Sequence, residues 1–146
     1  MATFNKLDGF VEMLAEKTHN LGADQLVLAL SNTAPGSEST PPTGTTADCV
    51  LANVTEISYT NLSSRNLTTT LSSQTSGTYT LKIADITLTA TGAVGPFRYI
   101  YIFNSSASAF TNPLIGYYDY GSSITLATGE TFTVDFDGSS GVLTIT

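Results

Sequence analysis

The sequence predicts a mainly β protein: an antiparallel β-sandwich of about seven or eight short strands with one N-terminal amphipathic α-helix. Three observations carry that expectation. Thr- and Ser-rich segments alternate with a period of two through most of the chain. Helical spacing is confined to the first twenty or so positions. The length, 146 residues, suits one domain with one core, 1–146. A hydrophobic content of 41% and a mean hydropathy of +0.13 argue against a disordered chain.

The helix is expected over residues 3–21. Phe4, Leu7, Phe10, Val11, Leu14 and Leu21 form one apolar stripe. Thr3 is the N-cap candidate and Gly22 the candidate for the left-handed residue after the last turn. Gly9 inside it costs about 1 kcal/mol relative to Ala. The stripe has two uses, packing across an open face of the sheet or docking on a neighbouring subunit, and the first is favoured.

Gln25-Leu26-Val27-Leu28-Ala29-Leu30 reads as a buried strand that stops at Ser31-Asn32-Thr33-Ala34-Pro35. Residues 36–48, which include Pro41 and Pro42, are Gly-, Ser-, Thr- and Pro-rich and read as an exposed loop or extended arm. Strands are then expected at 54–57, 66–71 and 78–88. The last carries a bulge at Ala84-Asp85, where the apolar phase slips by one residue. Residues 97–103 are the most β-prone stretch and belong at the centre of a sheet. Leu114-Ile115-Gly116-Tyr117-Tyr118-Asp119-Tyr120 follows a loop. Phe132, Val134 and Phe136 alternate with polar residues before Asp137-Gly138-Ser139-Ser140-Gly141 turns into 142–146 as a C-terminal hairpin.

Reactive chemistry is sparse. The chain has 5 Lys and Arg, 12 Asp and Glu, one His and one Cys. A net charge of −7 with the basic residues scattered excludes the clustered cations that a nucleic-acid partner requires. No apolar run is long enough to span a bilayer, so no membrane partner is expected. The start, Met1-Ala2-Thr3-Phe4-Asn5-Lys6, has no basic and apolar signal pattern, and the lone Cys49 suits synthesis in a reducing cytoplasm. Cys49 reads as a small apolar residue, and His19 as a surface group at a helix C-terminus. Asp119, Glu130, Asp135 and Asp137 are the candidate carboxylates for a hydrolase, but Asp135 and Asp137 lie on the polar face of an alternating strand. The run from Asp135 to Ser139 begins like a calcium loop but lacks its terminal Glu. No catalytic residue, cofactor or metal is therefore assigned. Tyr117, Tyr118 and Tyr120, with Tyr99 and Tyr101, suit either a sheet core and interface or a carbohydrate-stacking platform, the structural use being favoured.

The chain resembles a family of small virion proteins of tailed bacteriophages. The matching stretches include Ala15-Glu16-Lys17-Thr18-His19-Asn20-Leu21-Gly22, Leu30-Ser31-Asn32-Thr33-Ala34-Pro35, Leu51-Ala52-Asn53-Val54-Thr55-Glu56-Ile57, Gly95-Pro96-Phe97-Arg98-Tyr99, Pro113-Leu114-Ile115-Gly116-Tyr117-Tyr118-Asp119-Tyr120 and Phe132-Thr133-Val134-Asp135-Phe136. The resemblance implies a non-enzymatic virion structural protein, made in the host cytoplasm and placed on the capsid surface. The kind favoured is a capsid decoration, or cement, protein: a homo-oligomer, a trimer above others, that bridges major capsid subunits. A tail, neck or fibre component and a host-glycan-binding module are the alternatives. The expected interface residues are Phe4, Leu7, Phe10, Pro41, Pro42, Tyr117, Tyr118 and Tyr120.

Overall fold

The computed structural model describes residues 2–146 and is mainly β with antiparallel sheets. Its elements in order are β1 (Phe4–Lys6), α1 (Asp8–Ala15), β2 (Leu26–Ser31), β3 (Thr69–Thr75), β4 (Thr78–Ile83), β5 (Ile86–Thr89), β6 (Val94–Asn104), β7 (Leu114–Leu126), β8 (Thr131–Val134) and β9 (Leu143–Ile145). One sheet has the order β1-β7-β6-β2; facing it are β3-β4-β9 and the pair β5-β8. This agrees with the expected sandwich.

Leu28, Leu30, Ile100, Ile102 and Ile115 of the first sheet meet Leu81, Ile83, Leu88, Val134, Phe136 and Leu143 of the second layer in the main core. The other face of the same sheet is also covered. There Val27, Ala29, Tyr99, Tyr101, Phe103 and Leu114 pack with Leu7, Met13, Cys49 and Val54. All six residues of β2 are buried, and β6 is buried almost throughout. A strand covered on both faces has no use for polar alternation, which is why these two read as apolar runs.

The predicted helix 3–21 is cut at both ends. Phe4–Lys6 pairs with β7 instead, Phe4 opposite Tyr118 and Lys6 opposite Gly116. A Cβ on Gly116 would sit 2.6 Å from the Asn5 carbonyl oxygen, so the missing side chain is what lets β1 lie this close. At the far end Lys17 takes φ 64° and Thr18 N–H bonds the Met13 carbonyl at 2.8 Å, a closing turn that ends the helix before Gly22. Gly9 also has a packing reason. A Cβ there would lie 2.6 Å from Cys49 Cβ, so glycine admits the short 3-10 turn Thr46–Asp48 against α1.

Residues 36–48 are not a free arm. Glu38 accepts bonds from Thr55 N–H (2.8 Å) and Thr55 Oγ1 (2.6 Å), and Thr45 and Asp48 cap each other at the start of the 3-10 turn. Thr46 Oγ1 donates to Glu12 of α1. Side-chain hydrogen bonds thus order a segment too polar to order itself by burial. Ala34, Cys49, Leu51 and Val54, which flank the segment, pack on the second face of the sheet.

Four strand expectations also change. Residues 54–57 and 66–71 do not form strands as drawn. Ser31–Glu56 and Val27–Asn66 are isolated bridges, and the strand begins only at Thr69. The 54–67 chain instead runs along the outer edge of β2, with Ile57 N–H on Leu30 O, Leu28 N–H on Arg65 O and Leu67 N–H on Leu26 O. Ala84-Asp85 is a break between strands of two sheets rather than a bulge within one. Finally, β8 and β9 make no hairpin: β8 pairs with β5 and β9 with β4. Asp137 turns the chain between them, its Oδ1 accepting Ser139 N–H, Ser139 Oγ and Ser140 N–H, each at 2.8 Å.

Candidate interaction surface

Two of the expected interface residues from the N-terminal stripe are core residues. Leu7 and Phe10 are 3% and 1% exposed and face inward, one into each cluster. Pro42, within the folded 36–48 segment, is buried, and Pro41 is half-buried. The stripe and the prolines satisfy apolar surface within the chain, which removes Leu7, Phe10 and Pro42 from any contact surface. Phe4 is half-buried and packs on Tyr118, ring centroids 5.1 Å apart.

The tyrosines divide between the faces of β7, as the pleat requires. Tyr117 lies with Tyr101 (5.5 Å) and Tyr99 (6.4 Å) in the second core cluster. Tyr118 points to the opposite side against Phe136, and burial pushes its hydroxyl pKa up to about 12. Tyr120, 52% exposed, stands beside Phe132 at 5.6 Å. Tyr118, Tyr120, Phe132, Thr133 and Asp135 line a cleft of about 310 Å³. The five tyrosines are therefore no single platform; Tyr120 alone is mainly exposed.

His19 is not on the surface. It is 6% exposed, beyond the end of α1, with its ring 5.1 Å from Phe10. Asn104 Nδ2, at the end of β6, donates to His19 Nδ1 at 3.3 Å and also to Asp24. Desolvation lowers the His19 pKa to about 4, against a smaller opposing pull from Asp24, so the ring is neutral at pH 7. This polar network went unread in the sequence, where His19, Asp24 and Asn104 share no spacing. Cys49 is buried, as its small apolar reading expects, and burial raises its thiol to about 11. Asp137 is held down at about 2 by the turn hydrogen bonds it accepts. Arg98 grips Asp119 through Nε and Nη2 at 2.7 and 2.8 Å, a two-pronged pair on the surface. Among the described residues no three His, Cys, Asp or Glu side chains gather as a metal site would. No helix among them is long and apolar enough to cross a membrane.

What remains outward is a set of edges and loops. The most extended is the β3–β4 hairpin, turned at Ser76-Gly77 with φ 52° and 86°. Six of the seven β3 residues are exposed, Leu71 among them at 37%. Its inner face, through Ser72 and Tyr79, forms one wall of a cleft of about 550 Å³; Leu14, His19 and Leu21 line the other. The sequence signal for this hairpin was present in the uncharged run between Arg65 and Lys82.

Comparison of the chain with family models, with curated proteins and with solved structures found no match.

Proposed function

We propose that the chain is a non-enzymatic structural protein of a tailed-phage virion, of the capsid-decoration kind, which bridges and stabilises major capsid subunits as a homo-oligomer, a trimer being favoured. One observation carries the assembly part of this reading. The central sheet is covered on both faces by the chain's own residues, so the scaffold is complete in itself. Its outward features are the β3–β4 hairpin, the strapped 36–48 segment and Tyr120, which are rich in hydroxyls and backbone donors. Such surfaces suit adhesion through hydrogen bonds and shape, with large aromatics as anchors. The virion part rests on the sequence resemblance. The contact set shifts accordingly to Tyr120, Pro41 and the hairpin.

The cleft beside Tyr120 favours a second reading, a glycan-binding module, because an exposed ring next to Thr133 and Asp135 offers stacking and hydrogen bonding together. Gold-labelled antibody imaging of phage particles separates the two. Label spread over the head at high copy number is the expected result. Label confined to the tail tip, with saturable host-polysaccharide binding that Tyr120→Ala abolishes, overturns decoration in favour of the second reading.

A further inference from the structure

The outer edge of β3 has no partner. β3 is the terminal strand of its sheet, pairs only with β4 and makes no other backbone hydrogen bond among the described residues. The contrast with β2 is direct, since the 54–67 chain closes that outer edge. Proteins blunt exposed edges with lysines, prolines, bulges or a covering loop, because a bare row of N–H and C=O groups templates another strand. β3 has one irregularity, between Thr69 and Leu71, and from there to Thr75 neither a charge nor a proline.

We propose that β3 is a self-pairing strand, through which two copies of this chain dock edge to edge, antiparallel, about a two-fold axis near Ser72. Charge distribution selects a second copy as the occupant. The molecule carries −7, which repels its own kind across most of the surface, yet no charged residue occurs between Arg65 and Lys82. This hairpin is where like molecules approach without that penalty. The strand is also compatible with itself. With Ser72 on the axis, Leu71 lies across from Ser73 of the other copy and Thr70 from Gln74, pairs with neither steric nor charge conflict. Such an edge buries far less than the ~1,200 Å² of a stable interface. The contact is therefore weak between free molecules and adds up where many copies are held side by side. The inference rests on the edge alone and stands whether the chain belongs to a head, a tail or neither.

The test uses the full-length protein in sedimentation equilibrium up to about 1 mM, a range that resolves weak association. Leu71 and Ser73 are both exposed and, two apart, share a face. One double variant carries Leu71→Lys with Ser73→Lys, the other Leu71→Glu with Ser73→Glu. The wild-type chain is expected to associate with rising concentration, each double variant at least about tenfold more weakly. An equimolar mixture of the two variants should regain association, which unfolded or damaged variants would not do. A wild-type chain without concentration-dependent association, variants that associate like wild type, or a mixture that stays apart overturns the proposal. Immunogold location on particles is a separate readout, so this contact and the virion reading fail independently.

Discussion

Strand β6 lies between two neighbours and under two layers, whereas β3 has one neighbour and an open edge. Both are extended backbone of β-forming residues, and both are paired in antiparallel register. β6 contributes Phe97, Ile100 and Ile102 to one core and Tyr99, Tyr101 and Phe103 to the other. The switch of face between Phe97 and Tyr99 coincides with an irregularity in the β6–β7 register, as an inserted residue reverses the pleat. β3 contributes no buried residue. The lesson is that burial and exposure fall to different strands of one fold. The doubly covered sheet contributes most of the buried apolar surface, whereas the outer edge of β3 stays open.

That division can be broken most decisively at Phe97. It is 0% exposed and meets Phe132 edge to face at 5.3 Å. Phe97→Ala should cost about 3–5 kcal/mol in urea denaturation, from lost burial plus the cavity left behind. A loss below about 1 kcal/mol would mean that the sheet is not the stabilising region.

The second prediction sharpens the boundary where the end of β6 meets the chain after α1. His19 has a folded pKa of about 4 against the ordinary histidine value of 6.5, so between those values the unfolded chain binds a proton that the folded chain refuses. Its contribution is complete above pH 6.5, falls as pH drops towards 4 and is flat below that. The full swing is on the order of 3 kcal/mol. Denaturation of wild type and His19→Gln across this range should give curves that differ in slope within the window and run parallel above it. Parallel curves throughout would place His19 in water.

The smallest effect is expected on the other side of the comparison. Leu71→Ala, on the exposed β3, should change stability by no more than about 0.5 kcal/mol by the same denaturation assay. A cost near that of Phe97→Ala would show β3 to be part of the core and would remove the reason for treating it as a contact element.

Much of this architecture was legible in the residues. The apolar run at 25–30 announced a buried strand and the run at 97–103 a strand central to a sheet, and the two are neighbours, β6 inside the sheet and β2 at its end. The alternation at Phe132, Val134 and Phe136 marked a strand with one wet face, though Phe136 lies just past its end. The site was harder to read. Leu7 and Phe10 looked like a free stripe because nothing in their spacing says whether the apolar partner comes from this chain or another. Tyr117 and Tyr118 looked like one cluster because adjacent positions in a sequence are opposite faces in a strand. Pro42 looked exposed because composition is blind to Glu38, Thr45 and Asp48 finding partners nearby.

By itself the sequence determined the local terms: period-two patterning, turn residues at Asp137–Gly141, a helix near the N-terminus and an acidic, cation-poor composition. These follow from backbone sterics and short-range hydrogen bonds, which act over a few residues. Tertiary structure alone decided that Phe4–Lys6 is a strand, that β8 and β9 part company and that His19 is buried. It also left β3 uncovered while β2 was closed by residues 54–67. Each of those outcomes depends on groups far apart in the chain, such as Asn5 against Gly116 and His19 against Asn104, whose closeness is worth having only once the whole core has formed.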